Sequence, residues 1–187
     1  MFGLADPLQR FLSRWPAVAR RLDPAESPLV ALPITTEARF LSNQVVLVGW
    51  GRVGKRLARE LTAEGVPFVV AESNREAVQA LRDSGVPAVW GDATEPAVLI
   101  QAHIRDARAL VIATPETLHV RKMVEIARAL NPQIEIVVRS HNAKEAELLE
   151  REGAGTVFVG ETELANSMLR HVLGIVRQAP AATGAAH

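Results

Sequence analysis

The chain has 187 residues, enough for one domain and an appendage, and 48% of them are apolar, which excludes disorder throughout. Lysine plus arginine number 21, and so do aspartate plus glutamate, so there is no basic footprint and nucleic acid is not expected as a partner. Cysteine is absent, which rules out disulfides and thiolate metal sites and fits a reducing compartment.

No apolar run approaches the roughly 18 residues that a membrane span needs. Met1 to Trp15 carries Asp6 and Pro7 early and lacks a long apolar stretch, so it does not read as a signal peptide. Five of the eleven prolines fall in the first 33 residues, and that shift marks residues 1–43 as an appendage. Within it, Asp6-Pro7 is a helix start, and Leu8, Phe11, Leu12 and Trp15 follow on one face with Arg10 and Arg14 off it. That amphipathic helix must meet something, either its own domain or a membrane surface or membrane-embedded partner. Arg20 to Phe40 reads as a Pro-rich linker.

The next stretch organises the rest. Val45 to Val48 is the β-branched run expected of a strand buried on both faces. It leads into Gly49-Trp50-Gly51-Arg52-Val53-Gly54, then a helical pattern with Val53, Leu57 and Leu61 on one face and Gly65 as the stop. A second strand, Pro67 to Ala71, ends at Glu72. In this strand, G-x-G-x-x-G, helix, strand, acid series, Gly49 permits the tight turn, Gly51 admits a phosphate and Gly54 lets helix and strand pack closely. The helix start offers unpaired N–H groups to an anion. Glu72 lies 23 residues after Gly49, near the usual spacing of about 20. Its carboxylate can accept both ribose hydroxyls of an adenosine group and would repel a 2′-phosphate, which disfavours NADP.

The alternation continues. Ser73 and Glu76 form a capping-box pattern for a helix ending near Gly85. Pro87 to Trp90 is a third strand, followed by Gly91-Asp92-Ala93-Thr94, with Thr94 capping a helix to about Ile104. Ala109 to Ala113 is a fourth strand. Thr114-Pro115 opens the next helix, with Val120, Met123, Val124, Ala127 and Leu130 inward and Asn131-Pro132 ending it. Ile134 to Val138 is a fifth strand ending at Arg139. Asn142 and Glu145 cap a helix that stops at Gly153, Thr156 to Val159 is a sixth strand, and Thr162 to Leu173 is a final helix. From Ile175 on, the Ala-rich tail is expected to fray.

Six strands alternating with helices predict an α/β, Rossmann-like, doubly wound parallel sheet, and right-handed crossovers give the order 3-2-1-4-5-6. Ligands in such sheets bind at the carboxyl ends of the strands, where the order reverses. That gathers Gly49–Gly54, Glu72, Gly91–Thr94 and Ala113–Pro115 around one crevice.

Through GWGRVG, VVAESN, VWGDAT, VIATPE and IVVRSHN, the chain resembles the RCK/KTN (TrkA-N type) nucleotide-binding domain over residues 44–174. It is most similar to the cytoplasmic C-terminal domain of Kef-type cation:proton antiporters, in particular the YbaL-like branch. With the composition shifts, the chain is expected to divide into three regions: an amphipathic helix and Pro-rich linker (1–43), the nucleotide-binding domain that the resemblance covers (44–174) and a disordered tail (175–187). The resemblance also implies a regulatory module that binds AMP or NAD(H), is not an enzyme, and sits at the cytoplasmic face of the inner membrane. The partners it implies are a transmembrane antiporter domain of the same polypeptide and a second copy. By resemblance, Gly49, Trp50, Gly51, Arg52, Val53 and Gly54 form the phosphate loop. Glu72, with Ser73 and Asn74, meets the ribose. Gly91, Asp92, Ala93 and Thr94 lie beside the adenine, and Ala113, Thr114 and Pro115 cover the nucleotide. Arg52 and Arg139 occupy positions that bind glutathione conjugates in Kef-type domains, although the rest of that pocket has no clear match here. The same arginines can pair with a nucleotide phosphate.

The competing reading is a small NAD-dependent oxidoreductase. It needs a substrate domain or a catalytic pair, and the sequence offers neither. His119 reads as a surface histidine, and His103, His141 and His171 show no metal-ligand spacing. Glu145, Glu147 and Glu150 read as a solvated helix face. Trp50 either stacks on a partner or base, or fills a gap against the next helix. Leu164, Met168, Leu169 and Val172 on the last helix are the candidate dimer face.

Overall fold

A computed structural model describes residues 28–114 and 117–178. Six strands form one all-parallel sheet in the order β3-β2-β1-β4-β5-β6, as expected. They are β1 (Val45–Val48), β2 (Phe68–Glu72), β3 (Ala88–Trp90), β4 (Ala109–Ile112), β5 (Glu135–Ser140) and β6 (Thr156–Val159). The helices between and after them are α1 (Arg52–Ala63), α2 (Arg75–Asp83), α3 (Pro96–Gln101), α4 (Thr117–Leu130), α5 (Ala143–Arg151) and α6 (Gly160–Gln178). β1 pairs with β2 on one side (Val45 with Phe68) and β4 on the other (Val45 with Ala109), so the order reverses at β1.

The sheet is covered on both faces, which is why its central strands are apolar throughout rather than alternating. Val46, Val48, Val69, Leu110 and Ile112 join Leu99, Val120, Met123, Ile126 and Ala127 in one buried cluster. Leu47, Val70, Ala88, Ala58, Val78 and Leu81 form the other.

Several local expectations are corrected. In α1 the buried positions are Gly54 and Ala58, whereas Val53 and Leu57 face solvent, because the helix approaches β1 too closely for large side chains. The α2 cap is Asn74, whose Oδ1 accepts from the Ala77 N–H at 2.9 Å, and not Ser73. Thr94 does not cap α3: its N–H donates to Asp92 Oδ1 at 2.8 Å, and the helix opens at Pro96, a residue with no N–H to satisfy. α3 is short, and a separate 3₁₀ turn, Ile104–Asp106, carries the chain to β4. β5 continues to Ser140. The Asn142 cap holds, with Oδ1 accepting from the Glu145 N–H at 2.9 Å. The last helix begins at Gly160 and runs through Gly174 to Gln178, so no fraying sets in at Ile175. No helix among the described residues is long and apolar enough to cross a membrane.

The Pro-rich linker is packed rather than free from residue 28 on. Leu29 is buried, and Leu32 and Phe40 pack against the core. The helix expected at Asp6 to Trp15 lies outside the described residues.

Candidate functional site

β1 delivers the chain to Gly49, which has φ +96° and lies so close to Thr114 that a Cβ there would meet its Cγ2 at 2.7 Å. This turn needs glycine on both counts. Gly51 is the residue before α1, and a Cβ added to it would meet nothing within 4 Å, so its outer side is open. A Cβ on Gly54 would collide with the Gly49 carbonyl oxygen, so glycine there sets the approach of α1 to the loop. The three glycines therefore have three separate physical roles, and Gly51 is the one that leaves the helix start approachable.

Glu72, at the end of β2, ties the loops together. Its Oε2 accepts from the Trp50 N–H at 2.6 Å, and its Oε1 accepts from the Asn74 N–H at 2.7 Å. The Ser73 hydroxyl donates to Oε1 at 3.2 Å. A carboxylate offers about four lone-pair directions. One on Oε2 remains open here, and the second needed by a vicinal diol becomes available when the Ser73 hydroxyl turns aside. The same contacts explain the α2 cap: Ser73 is engaged by Glu72, which leaves Asn74 to cap.

Across the cleft, Gly91 has φ +148°, and its N–H donates to the Glu72 carbonyl oxygen at 3.0 Å. The Asp92 carboxylate is held by the Thr94 N–H, which shapes the turn. Gly49, Glu72, Ser73, Gly91, Asp92, Ala93 and Thr114 line one open cleft at the carboxyl ends of β1, β2 and β3. Val48, Ala71, His119 and Met123 complete it. Periodicity places Met123 in the core and His119 on the surface. Met123 is buried and His119 is exposed, yet both line the cleft, His119 from the first turn of α4. Its placement after the switch-point strand was the available signal.

The other expected residues that are described, Gly51 among them, are not among those lining the cleft. Trp50 is half-buried against the Leu47–Val70 cluster, which favours gap filling over stacking on a partner. Arg52 and Val53 are exposed on the outer side of α1, and Gly54 and Ala113 are buried behind the loop. Asn74 and Thr94 support the two rim turns through their N–H groups. Arg139 is half-buried on β5. Pro115 lies outside the described residues.

Residues 45–160 match the TrkA-N domain family, more than half of the chain. The chain belongs to the TrkA-N family. It is 40% identical over 129 residues to YbaL of Escherichia coli (strain K12), described as a cation/proton antiporter, covering 69% of this chain and 23% of that protein. It is 30% identical over 137 residues to the K(+) efflux antiporter KefB of Alkalimonas amylolytica, covering 73% and 21%. This TrkA-N chain thus spans less than a quarter of the length of the curated relatives it matches. Among solved structures, the TrkA-N domain of E. coli YbaL matches with a TM-score of 0.66 at 40% identity, covering 69% of this chain and 96% of that one. The Shewanella denitrificans Kef C-terminal domain in its AMP-bound form matches at 0.61 and 25% identity, covering 72% and 81%. The GsuK channel bound to NAD matches at 0.60 and 25%, covering 84% and 28%.

Proposed function

We propose that this chain is the nucleotide-binding regulatory part of a monovalent cation:proton antiporter of the potassium-moving kind, acting at the cytoplasmic face of the inner membrane. The observation that carries the reading is the Glu72 carboxylate, held across the glycine loop at the switch point of the sheet. An adenine nucleotide, AMP or NAD(H), puts its ribose on Glu72 and Ser73 and its phosphate on the open helix start at Gly51, with Arg52 nearby. Gly49, Gly91, Asp92, Ala93 and Thr114 shape the walls around it. The AMP and NAD bound to the two relatives support this choice of ligand class.

The module is not an enzyme in this reading. It acts by binding one arrangement of the transporter better than another, since a ligand shifts an equilibrium only by its differential affinity. The working unit is a homodimer. Leu164, Met168, Val172 and Val176 recur every fourth residue along α6, each between 51% and 65% exposed, with Leu169 and Ile175 beside them. Such a stripe fits a second copy of the same helix.

The test is a binding panel of AMP, ADP, ATP, NAD, NADH, NADP and NADPH against the wild type and Glu72→Ala. AMP and NAD(H) are expected to bind, and the variant is expected to lose about 1–3 kcal/mol, the scale of a charge-assisted hydrogen bond. Unchanged affinity in the variant removes the ribose assignment. Binding of whole dinucleotides alone, with hydride transfer, would instead favour the oxidoreductase.

A further inference from the structure

Arg82, near the end of α2, donates from all three of its guanidinium nitrogens to backbone carbonyls. Nε donates to Ala88 O at 2.8 Å and Nη1 to Pro28 O at 2.8 Å. Nη2 donates to Leu29 O at 3.0 Å, Ala31 O at 2.6 Å and Ala88 O at 2.6 Å. One charged side chain thus clasps residues 28–31 to β3. Burial lowers its pKa, although a guanidinium stays protonated at any working pH. If residues 28–31 left, Arg82 would lose three of its five hydrogen bonds.

The clasped segment lies along the outer edge of the sheet. The Trp90 N–H donates to Leu29 O at 2.8 Å, which covers an edge that β3 would otherwise present. Leu29 is 6% exposed and joins the cluster beneath α1 and α2. Trp90 also reaches the β2–α2 turn. Its indole N–H donates to Ser73 O at 2.9 Å, and the Arg75 guanidinium lies 5.5 Å from its ring. Ser73 in turn holds Glu72, and Gly91, the residue after Trp90, lines the cleft. Two hydrogen bonds therefore separate the 28–31 segment from the residue that holds the carboxylate.

We infer that the 28–31 strap and the nucleotide cleft are coupled: seating of the strap on β3 and occupation of the cleft favour one another through Trp90. Arg82 is the positioning residue that keeps the strap seated. This inference rests on the nucleotide binding proposed above. It adds the route by which the segment preceding the domain senses the ligand, and linkage requires the effect to run both ways.

The experiment is hydrogen exchange on the full chain, with and without saturating AMP or NAD, read over residues 28–41, together with nucleotide affinity. The Thr36, Phe40 and Leu41 amides, each bonded within that segment, are the reporters. In the wild type, nucleotide should slow exchange there. Arg82→Met should speed exchange in the segment and weaken nucleotide binding about fivefold or more, the lower range of site-to-site coupling. Arg82→Lys should recover part of both. Trp90→Phe, which keeps an aromatic ring and the backbone N–H to Leu29 but deletes the indole N–H, should leave the strap seated while abolishing its response to nucleotide. The coupling is overturned if a wild type that binds nucleotide shows no change over 28–41. It is equally overturned if Arg82→Met frees the segment at unchanged affinity. If Arg82→Met does not fold, the wild-type and Trp90→Phe arms still decide. A wild type that binds no nucleotide overturns the functional reading itself, which its own titration shows.

Discussion

At the β3 end of the sheet the backbone edge is covered and the side chains are buried; at the β6 end, among the described residues, neither is so. β2 is buried at four of its five positions, and Leu29 closes the outside of β3. β6 alternates between exposed and half-buried, and α6 beside it turns Leu164, Met168 and Val172 to solvent. The contrast is not one of composition, since both ends carry β-branched and apolar residues. It teaches that the glycine-loop half buries its apolar side chains among the described residues, whereas the β6–α6 half leaves its own exposed there, which is the face the proposed pairing would cover. The cleft belongs to the glycine-loop half, where a ligand meets fixed geometry.

The largest test of this contrast uses one glycine from each half. Gly54→Ala drives a methyl into the Gly49 carbonyl oxygen, and Gly155→Ala drives one into the Ile136 carbonyl oxygen at φ +86°. Each is expected to cost about 3 kcal/mol in denaturant unfolding, the upper range for overpacking. Only Gly54→Ala should also abolish nucleotide binding, because only it displaces the loop. Equal loss of binding in Gly155→Ala would mean that the two halves are not separable.

A smaller effect is expected from the open half. Met168→Glu places a charge in the α6 stripe, where Met168 is 61% exposed in the single chain. Monomer stability should change by no more than about 0.5 kcal/mol, as for other surface positions. Self-association, followed by sedimentation equilibrium, should weaken about tenfold or more, as for a buried interface side chain. A wild type that stays monomeric at high concentration would remove the proposed pairing.

The same division governs what could be read from the sequence. β1 was legible to the residue because a buried parallel strand is a continuous apolar run. β6, which is not buried, was legible from its short β-branched run after a glycine, and the strand order from the single hand of crossovers. The errors arose where two residues competed for one local role. Ser73 and Asn74 both suit a cap, and the Glu72 carboxylate decides between them by taking the Ser73 hydroxyl. Asp92 engages the Thr94 N–H, and Pro96 then sets the start of α3. Periodicity picked Val53 and Leu57 as the inner face of α1, but close approach to the sheet admits only Gly54 and Ala58. The linker was misjudged because its anchor, Arg82, lies 54 residues from Pro28, a distance no local pattern spans. His119 was legible as a helical residue but not as a rim residue, since which turn of α4 borders the cleft depends on the β4 register.

The finest comparison sets two identical caps against each other. Asn74 and Asn142 each accept a hydrogen bond from the N–H three residues on, both at 2.9 Å, at the starts of α2 and α5. Replacing either with alanine should cost about 1 kcal/mol of stability, the usual worth of an N-cap. The consequences for ligand should differ. The Asn74 N–H also holds Glu72 Oε1, so loosening that turn disturbs the carboxylate, whereas Asn142 is bonded to Ser140 at the far side of the sheet. Asn74→Ala should therefore weaken AMP or NAD binding measurably and Asn142→Ala should not, as isothermal titration of the two variants would show. Equal effects on affinity would mean that binding follows overall stability and not the geometry held around Glu72.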